Sequence, residues 1–355
     1  MSAKKCRTIL WLGVTLLAAG CGKLNLHPLE PARAATIERT EVNRSWRLTR
    51  AAEDRILALD PKEVSESDVR EVLKNAPAPR MVNIHGGIYP VHLIAVSFSK
   101  FLIGMGYPER AVRHPGNRAY SLSCYDDAKL IAGVIPWYYE KEGMRPMIFG
   151  QSQGGMQSVK VLQRLASPPG GRLEVWSPLT WKPEGRYEIT DPLTGKDRPA
   201  AGISIAYVAS LGAGGIARAA PNQWAMLTKL RAVPDTVDEF TGFYLGLDLL
   251  GGDNLGFGGR NRFHATGSAK VRNVELPTSY SHVFAPSLAH LVNNKEAVDW
   301  INHYQQTDAP KHPANLGGET RGILFGADVW QSVKKHWVLE LQRLIRARRA
   351  RGHGQ

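Results

Sequence analysis

The chain has only three cysteines in 355 residues. Two of them, Cys6 and Cys21, stand at the extreme N-terminus, which leaves Cys124 alone in the remainder. An intramolecular disulfide in the body is therefore excluded, and so is a zinc site built on paired cysteines. Acidic residues are scarce relative to basic ones: 32 Asp and Glu face 45 Lys and Arg, for a formal charge of +13. There is no internal repeat and no low-complexity block, so solenoid and repeat architectures are set aside. No apolar run is long enough for an ordinary transmembrane helix. What is present is an average globular composition, 43% hydrophobic and 22% charged, sufficient for a sizeable core. The length suits one large domain with insertions.

The ends carry their own signals. Lys4, Lys5 and Arg7 precede an apolar stretch from Thr8 to Ala19, and Leu17-Ala18-Ala19-Gly20-Cys21 closes it. That ending resembles the bacterial lipobox. The resemblance implies a lipoprotein in which residues 1–21 are a signal peptide and Cys21 is the acylated anchor. An ordinary signal peptide or an uncleaved anchor is the alternative. Gly22 after the cysteine fits the outer membrane. Residues 22–48, with Pro28 and Pro31 and no apolar period, read as a tether to a body spanning 49–355. At the other end, residues 340–355 form a basic tail with Arg343, Arg346, Arg348, Arg349 and Arg351. A solvated helix end is the first reading and contact with anionic lipid head groups the second. Nucleic acid is not an expected partner of an exported chain.

The most informative stretch is Arg145 to Leu165. Met147-Ile148-Phe149 reads as a strand buried on both faces. Gly150-Gln151-Ser152-Gln153-Gly154 follows, and then Met156, Val159, Leu162 and Leu165 mark one apolar helical face. A strand, a Gly-x-Ser-x-Gly turn and a helix make a nucleophile elbow. Glycines flank the serine because the turn is too tight for side chains, and the strained backbone holds the hydroxyl out near the positive end of the helix.

Here the chain resembles the α/β-hydrolase family of serine esterases and lipases, over about residues 80 to 305. Gln151-Ser152-Gln153-Gly154-Gly155 is similar to that family's His-Ser-Gln-Gly-Gly elbow, with Gln151 in place of the usual His. The resemblance implies an α/β fold, a mostly parallel sheet flanked by helices. His85-Gly86-Gly87, directly after the apolar Met81-Val82-Asn83-Ile84, is similar to the turn that lends backbone amides to the family's oxyanion hole. Gly86 or Gly87 and Gln153 are then the expected donors. Tyr244-Leu245-Gly246-Leu247-Asp248 has the family's spacing for the acid, which makes Asp248 the first candidate. Asp253 is the competitor, with Asp235 and Asp238 behind. Ser279-Tyr280-Ser281-His282, after the last strand, stands where the family carries its histidine. His290, in a helical context, reads as a packed or capping side chain.

Several readings surround this core. Helices are expected over Ala51–Leu59, from a Ser65/Asp68 capping pair to about Asn75, over Leu93–Met105, and from a Ser123/Asp126 cap to Glu142, kinked at Pro136. Ala111-Val112-Arg113 reads as a brief strand. Further strands are expected over Ile203–Val208, Phe240–Leu247 and Lys270–Leu276. Residues 168–200, with Trp176, Trp181 and Tyr187 among turn residues, form a lid-like insertion in which Leu173–Trp176 pairs with Arg186–Ile189.

The chemistry implied is hydrolysis of a carboxylic ester or lipid through Ser152, His282 and Asp248, with no metal and no organic cofactor. A second class is a lipid-anchored binding or scaffold protein that keeps the fold without turnover. A third, remote reading is a dinucleotide-binding enzyme: Gly212-Ala213-Gly214-Gly215-Ile216-Ala217 follows a strand, with Asp235 some twenty residues on.

Overall fold

The computed structural model describes residues 28–42, 48–87, 89–167, 169–214, 221–226, 228–246, 248, 250–251, 261–314 and 316–352. Five parallel strands form the central sheet: β1 (Met81–Ile84), β2 (Met147–Gln151), β3 (Ile205–Leu211), β4 (Val237–Leu245) and β5 (Lys270–Leu276), side by side in chain order. Every residue of the first three is buried, as parallel strands covered on both faces must be. Alternate side chains feed two cores. Met147, Phe149, Leu211, Phe243 and Leu276 point to one, Ile84, Ile148, Val208 and Phe240 to the other.

Helices cover both faces. The first core is closed by α1 (Arg50–Ala58), α2 (Tyr89–Gly104), α5 (Lys295–Asn302) and the long α6 (Ile323–Gly352), the second by α3 (Ala128–Glu142) and α4 (Gln153–Ala166). Thr49 caps α1, and the Ser65/Asp68 capping box is formed in full. Phe325 of α6 meets Phe149 and Phe243 from the sheet at ring-centroid distances of 5.6 and 4.9 Å.

Four local expectations need correction. Residues 109–112 are helical rather than extended, because the buried Arg80 guanidinium donates to the carbonyls of Arg110 and Arg113 and so closes the helix end. The cap of α3 is Asp127, accepting from the Lys129 amide. Ser123 and Asp126 instead close a turn just ahead of it, where the Asp126 carboxylate accepts from the Ser123 amide. The 22–48 tether is too long: Pro31–Ile37 is a helix with Ala34 buried, and Glu38 pairs with Lys141 at 2.8 Å.

The lid-like insertion, finally, lies along α3. Trp176 stands over Gly133, Glu184 accepts from Trp137, Arg186 pairs with Glu140, and Asp191 accepts from Tyr139. Among the described residues none of its hydrogen bonds or ring contacts reaches Ser152, Asp248 or His282. Of its aromatics, Trp181 packs on His114 at 4.9 Å, whereas Tyr187 is exposed. The hairpin is also shorter than expected, Trp176–Ser177 with Lys182–Pro183, followed by a second pair, Glu188–Thr190 with Asp197–Pro199.

Candidate active site

The C-terminal ends of all five strands converge on one rim, the usual place for a site in a parallel α/β sheet. β2 ends at Gln151 and α4 begins at Gln153, so Ser152 alone makes the turn. Its backbone sits at φ 56° and ψ −119°, which a side-chain-bearing residue rarely adopts, at a cost of about 1–3 kcal/mol. The Leu211 carbonyl at the end of β3 holds it there, accepting from the Ser152 amide at 2.7 Å.

The flanking glycines answer to close approach. A Cβ on Gly154 would lie 2.1 Å from the Ile84 carbonyl oxygen, and one on Gly150 2.5 Å from the Gly154 carbonyl oxygen. Neither backbone atom has room to retreat.

The His85-Gly86-Gly87 turn leaves β1 and lies against the elbow. A Cβ on Gly86 would be 3.2 Å from Cβ of Ser152, and one on Gly87 2.3 Å from Oε1 of Gln153. His85 is buried, and its Nδ1 donates to the Gly86 carbonyl at 2.7 Å. Desolvation lowers its pKa below the ordinary value, so the ring is neutral and Nδ1 carries the hydrogen. A trans peptide sets its C=O and the next N–H in opposite directions, so this bond also aims the Gly87 amide. Tyr125 donates to the Gly87 carbonyl at 2.8 Å. Gln153 contributes the first amide of α4, which has no intrahelical acceptor. The expected donors Gly86, Gly87 and Gln153 thus sit together beside Ser152.

Asp248 and His282 enter from the last two strands. His282 Nδ1 and Asp248 Oδ2 are 2.7 Å apart, both residues buried. The Gly251 amide donates to the other carboxylate oxygen at 2.8 Å. The carboxylate can only accept, so Nδ1 carries the hydrogen, and in the neutral ring it is Nε2 that presents a lone pair. That Nε2 is buried and has no hydrogen-bond partner, so the bond from Ser152 to His282 is not formed in this structure. The imidazole nonetheless packs onto the elbow's support: a Cβ on Gly212, the residue after Leu211, would be 2.7 Å from both Nδ1 and Cε1 of His282. A cavity of about 220 Å³ borders the pair, walled further by Leu245, Leu250, Thr278 and Tyr280.

The remaining candidates are elsewhere. Asp253 and Cys21 lie outside the described residues. Asp238 is on the sheet but pairs with Arg145 at 2.5 Å. Asp235 accepts from the Ser268 and Ala269 amides, and Gly214 donates to the Ser152 carbonyl at 3.3 Å. Of the dinucleotide-type outline, Gly215, Ile216 and Ala217 lie outside the described residues. His290 precedes a short 3-10 turn, Leu291–Asn293, without capping it by its side chain.

Two participants were not legible beforehand. Tyr125 and the side chain of Gln151 act through contacts 38 and 131 residues away along the chain. Only the departure from the usual His at position 151 marked either of them.

This arrangement can accept a proton from a hydroxyl and surround an oxygen with backbone amides. No protein-family model matches the chain, and the comparison with curated proteins likewise gives no match.

Proposed function

We propose that the chain is a serine hydrolase acting on carboxylic esters, of the α/β-hydrolase kind it resembles. The carrying observation is the buried 2.7 Å bond between His282 and Asp248, on the same strand-end rim as a serine at φ 56°. Their chain order, Ser152, Asp248, His282, is the order of that fold.

In the proposed reaction Nε2 of His282 takes the hydroxyl proton as Ser152 Oγ attacks the ester carbonyl. Asp248 holds the tautomer and stabilises the imidazolium that results. The amides of Gly86 or Gly87 and Gln153 receive the oxyanion, at about 3 kcal/mol per donor. The C–O bond to the alcohol then breaks, and the departing oxygen takes the proton from His282. Water repeats the sequence on the acyl-serine. Catalytic hydrogen bonds tighten as substrate binds, and the bond from Ser152 to His282 is expected to form in the reacting complex. Leu93, Tyr125, Leu250 and Phe284 are all exposed on the segments that carry the site, which favours esters with apolar groups or lipids.

The test is hydrolysis of p-nitrophenyl esters of graded chain length by the wild type, Ser152→Ala and His282→Ala. Activity lost in both variants supports the reading. The unpartnered Nε2 favours a second reading, a lipid-anchored scaffold without turnover, which would leave all three proteins equally inert.

Anchoring through Cys21 to a bacterial membrane, the outer one by preference, accompanies this proposal. Incorporation of labelled fatty acid into the wild type, and none into Cys21→Ser, is the expected outcome; equal labelling of both contradicts it.

A further inference from the structure

The residue before the nucleophile, Gln151, belongs to β2 and is almost wholly buried, 1% exposed. Its Nε2 donates to two consecutive backbone carbonyls, those of His282 at 3.0 Å and Val283 at 2.9 Å. The orientation of the amide is forced, because the opposite one would set Oε1 against two acceptors. Among the described residues no other donor bonds these two carbonyls. Oε1 itself is buried without a partner. A buried acceptor left empty weighs against the fold, so this amide stands out for what its donors hold.

What they hold is the loop that carries His282. That loop starts after Pro277 and has its own internal bonds, Tyr280 amide to Pro277 carbonyl and Ala285 amide to Ser281 carbonyl. The Gln151 amide ties it across the sheet to the peptide that carries Ser152. Nucleophile and base thereby share one rigid reference, although they lie far apart along the chain.

We infer that Gln151 is a positioning residue that fixes His282 relative to Ser152 by clamping two successive carbonyls of the histidine loop. The inference rests on the proposed hydrolase reading and deepens it. Loss of the clamp leaves the substrate-facing surface intact but frees the loop, and a misplacement of about 1 Å in a reacting group can cost about 10²-fold in rate.

The experiment compares full-length wild type, Gln151→Leu and Gln151→Glu by steady-state ester hydrolysis across pH and by thermal melting. Gln151→Leu is expected to lower kcat about 10²-fold with KM within about threefold and a cooperative melt retained. Gln151→Glu keeps the shape, so it tests the donors even if the leucine variant does not fold. Its ionised carboxylate cannot donate, whereas its protonated form can. The ratio of its kcat to that of wild type should therefore rise as pH falls, a profile that a packing role would not produce. Wild-type kcat in Gln151→Leu, a raised KM with kcat unchanged, or a pH-independent ratio in Gln151→Glu overturns the positioning role. Those outcomes presuppose an active wild type; a wild type that hydrolyses no ester and takes no serine-directed probe overturns the hydrolase reading itself, and this role with it.

Discussion

At the scale of single residues the site is a set of atoms held where chain preferences alone would not put them. Ser152 occupies a left-handed conformation because the Leu211 carbonyl takes its amide and Gly154 lets β1 pass within van der Waals contact. The elbow was readable because tight turns restrict residue type, and few sequences satisfy that restriction. The acid was less so: spacing put Asp248 ahead of chemically identical aspartates, and the fold sets it beneath an imidazole while Asp235 clamps a loop and Asp238 pairs with Arg145. Asp248→Asn keeps the shape but removes the acceptor that fixes the tautomer. Ester kcat is expected to fall by about 10⁴-fold in this variant with the melting temperature nearly unchanged. Retention of more than a tenth of wild-type kcat would show that another carboxylate serves His282.

At the scale of elements the sheet strands were the easiest to foresee and the last helix the hardest. Strands buried on both faces read as short apolar runs, as Met147–Gln151 does, and the half-exposed edge strand Lys270–Leu276 also emerges with the expected bounds. The C-terminal arginines suggested a solvated helix end, and they do close the 30-residue α6, but as far as Ile345 its inner side is core. Arg349 bonds Glu53 at 2.8 Å, and Gln342 donates to the Leu59 carbonyl at 2.8 Å. These partners lie nearly 300 residues upstream, beyond any local pattern. Phe325 is where α6 enters the core, with Phe98, Phe149 and Phe243 around it. Phe325→Ala should destabilise by about 3–5 kcal/mol in urea unfolding, since the buried ring leaves a cavity that a rigid sheet cannot fill. A loss below 1 kcal/mol would mean that α6 is not anchored there.

For the whole molecule, buried ionisable groups set the response to acid. Burial, and then the charge of Arg80, lowers the pKa of His114 from its ordinary 6.5 to about 3. Below pH 6.5 the unfolded chain therefore binds this proton and the folded one does not. Stability is complete above pH 6.5 and is lost as pH falls toward 3. Burial tends to raise Glu239, but His336 and Lys335 beside it hold it at about 2. Its contribution is present above about pH 4.5 and lost between there and about 2. From pH 6.5 to 4.5 stability should decline by about 1.4 kcal/mol per pH unit for His114 alone. In His114→Gln the slope should be shallower by one proton, though stacking on Trp181 is lost at all pH values. Equal slopes in urea titrations of the two proteins would contradict this.

The architecture brings an otherwise scattered serine, aspartate and histidine to one strand-end rim of the sheet, and the central claim is that this makes Ser152 a nucleophile. Mass spectrometry of the full-length protein after fluorophosphonate treatment measures that directly. The account predicts one adduct per chain, on the peptide containing Ser152, abolished in Ser152→Ala and in His282→Ala; a folded wild type that stays unmodified, or an adduct on another residue, would contradict it.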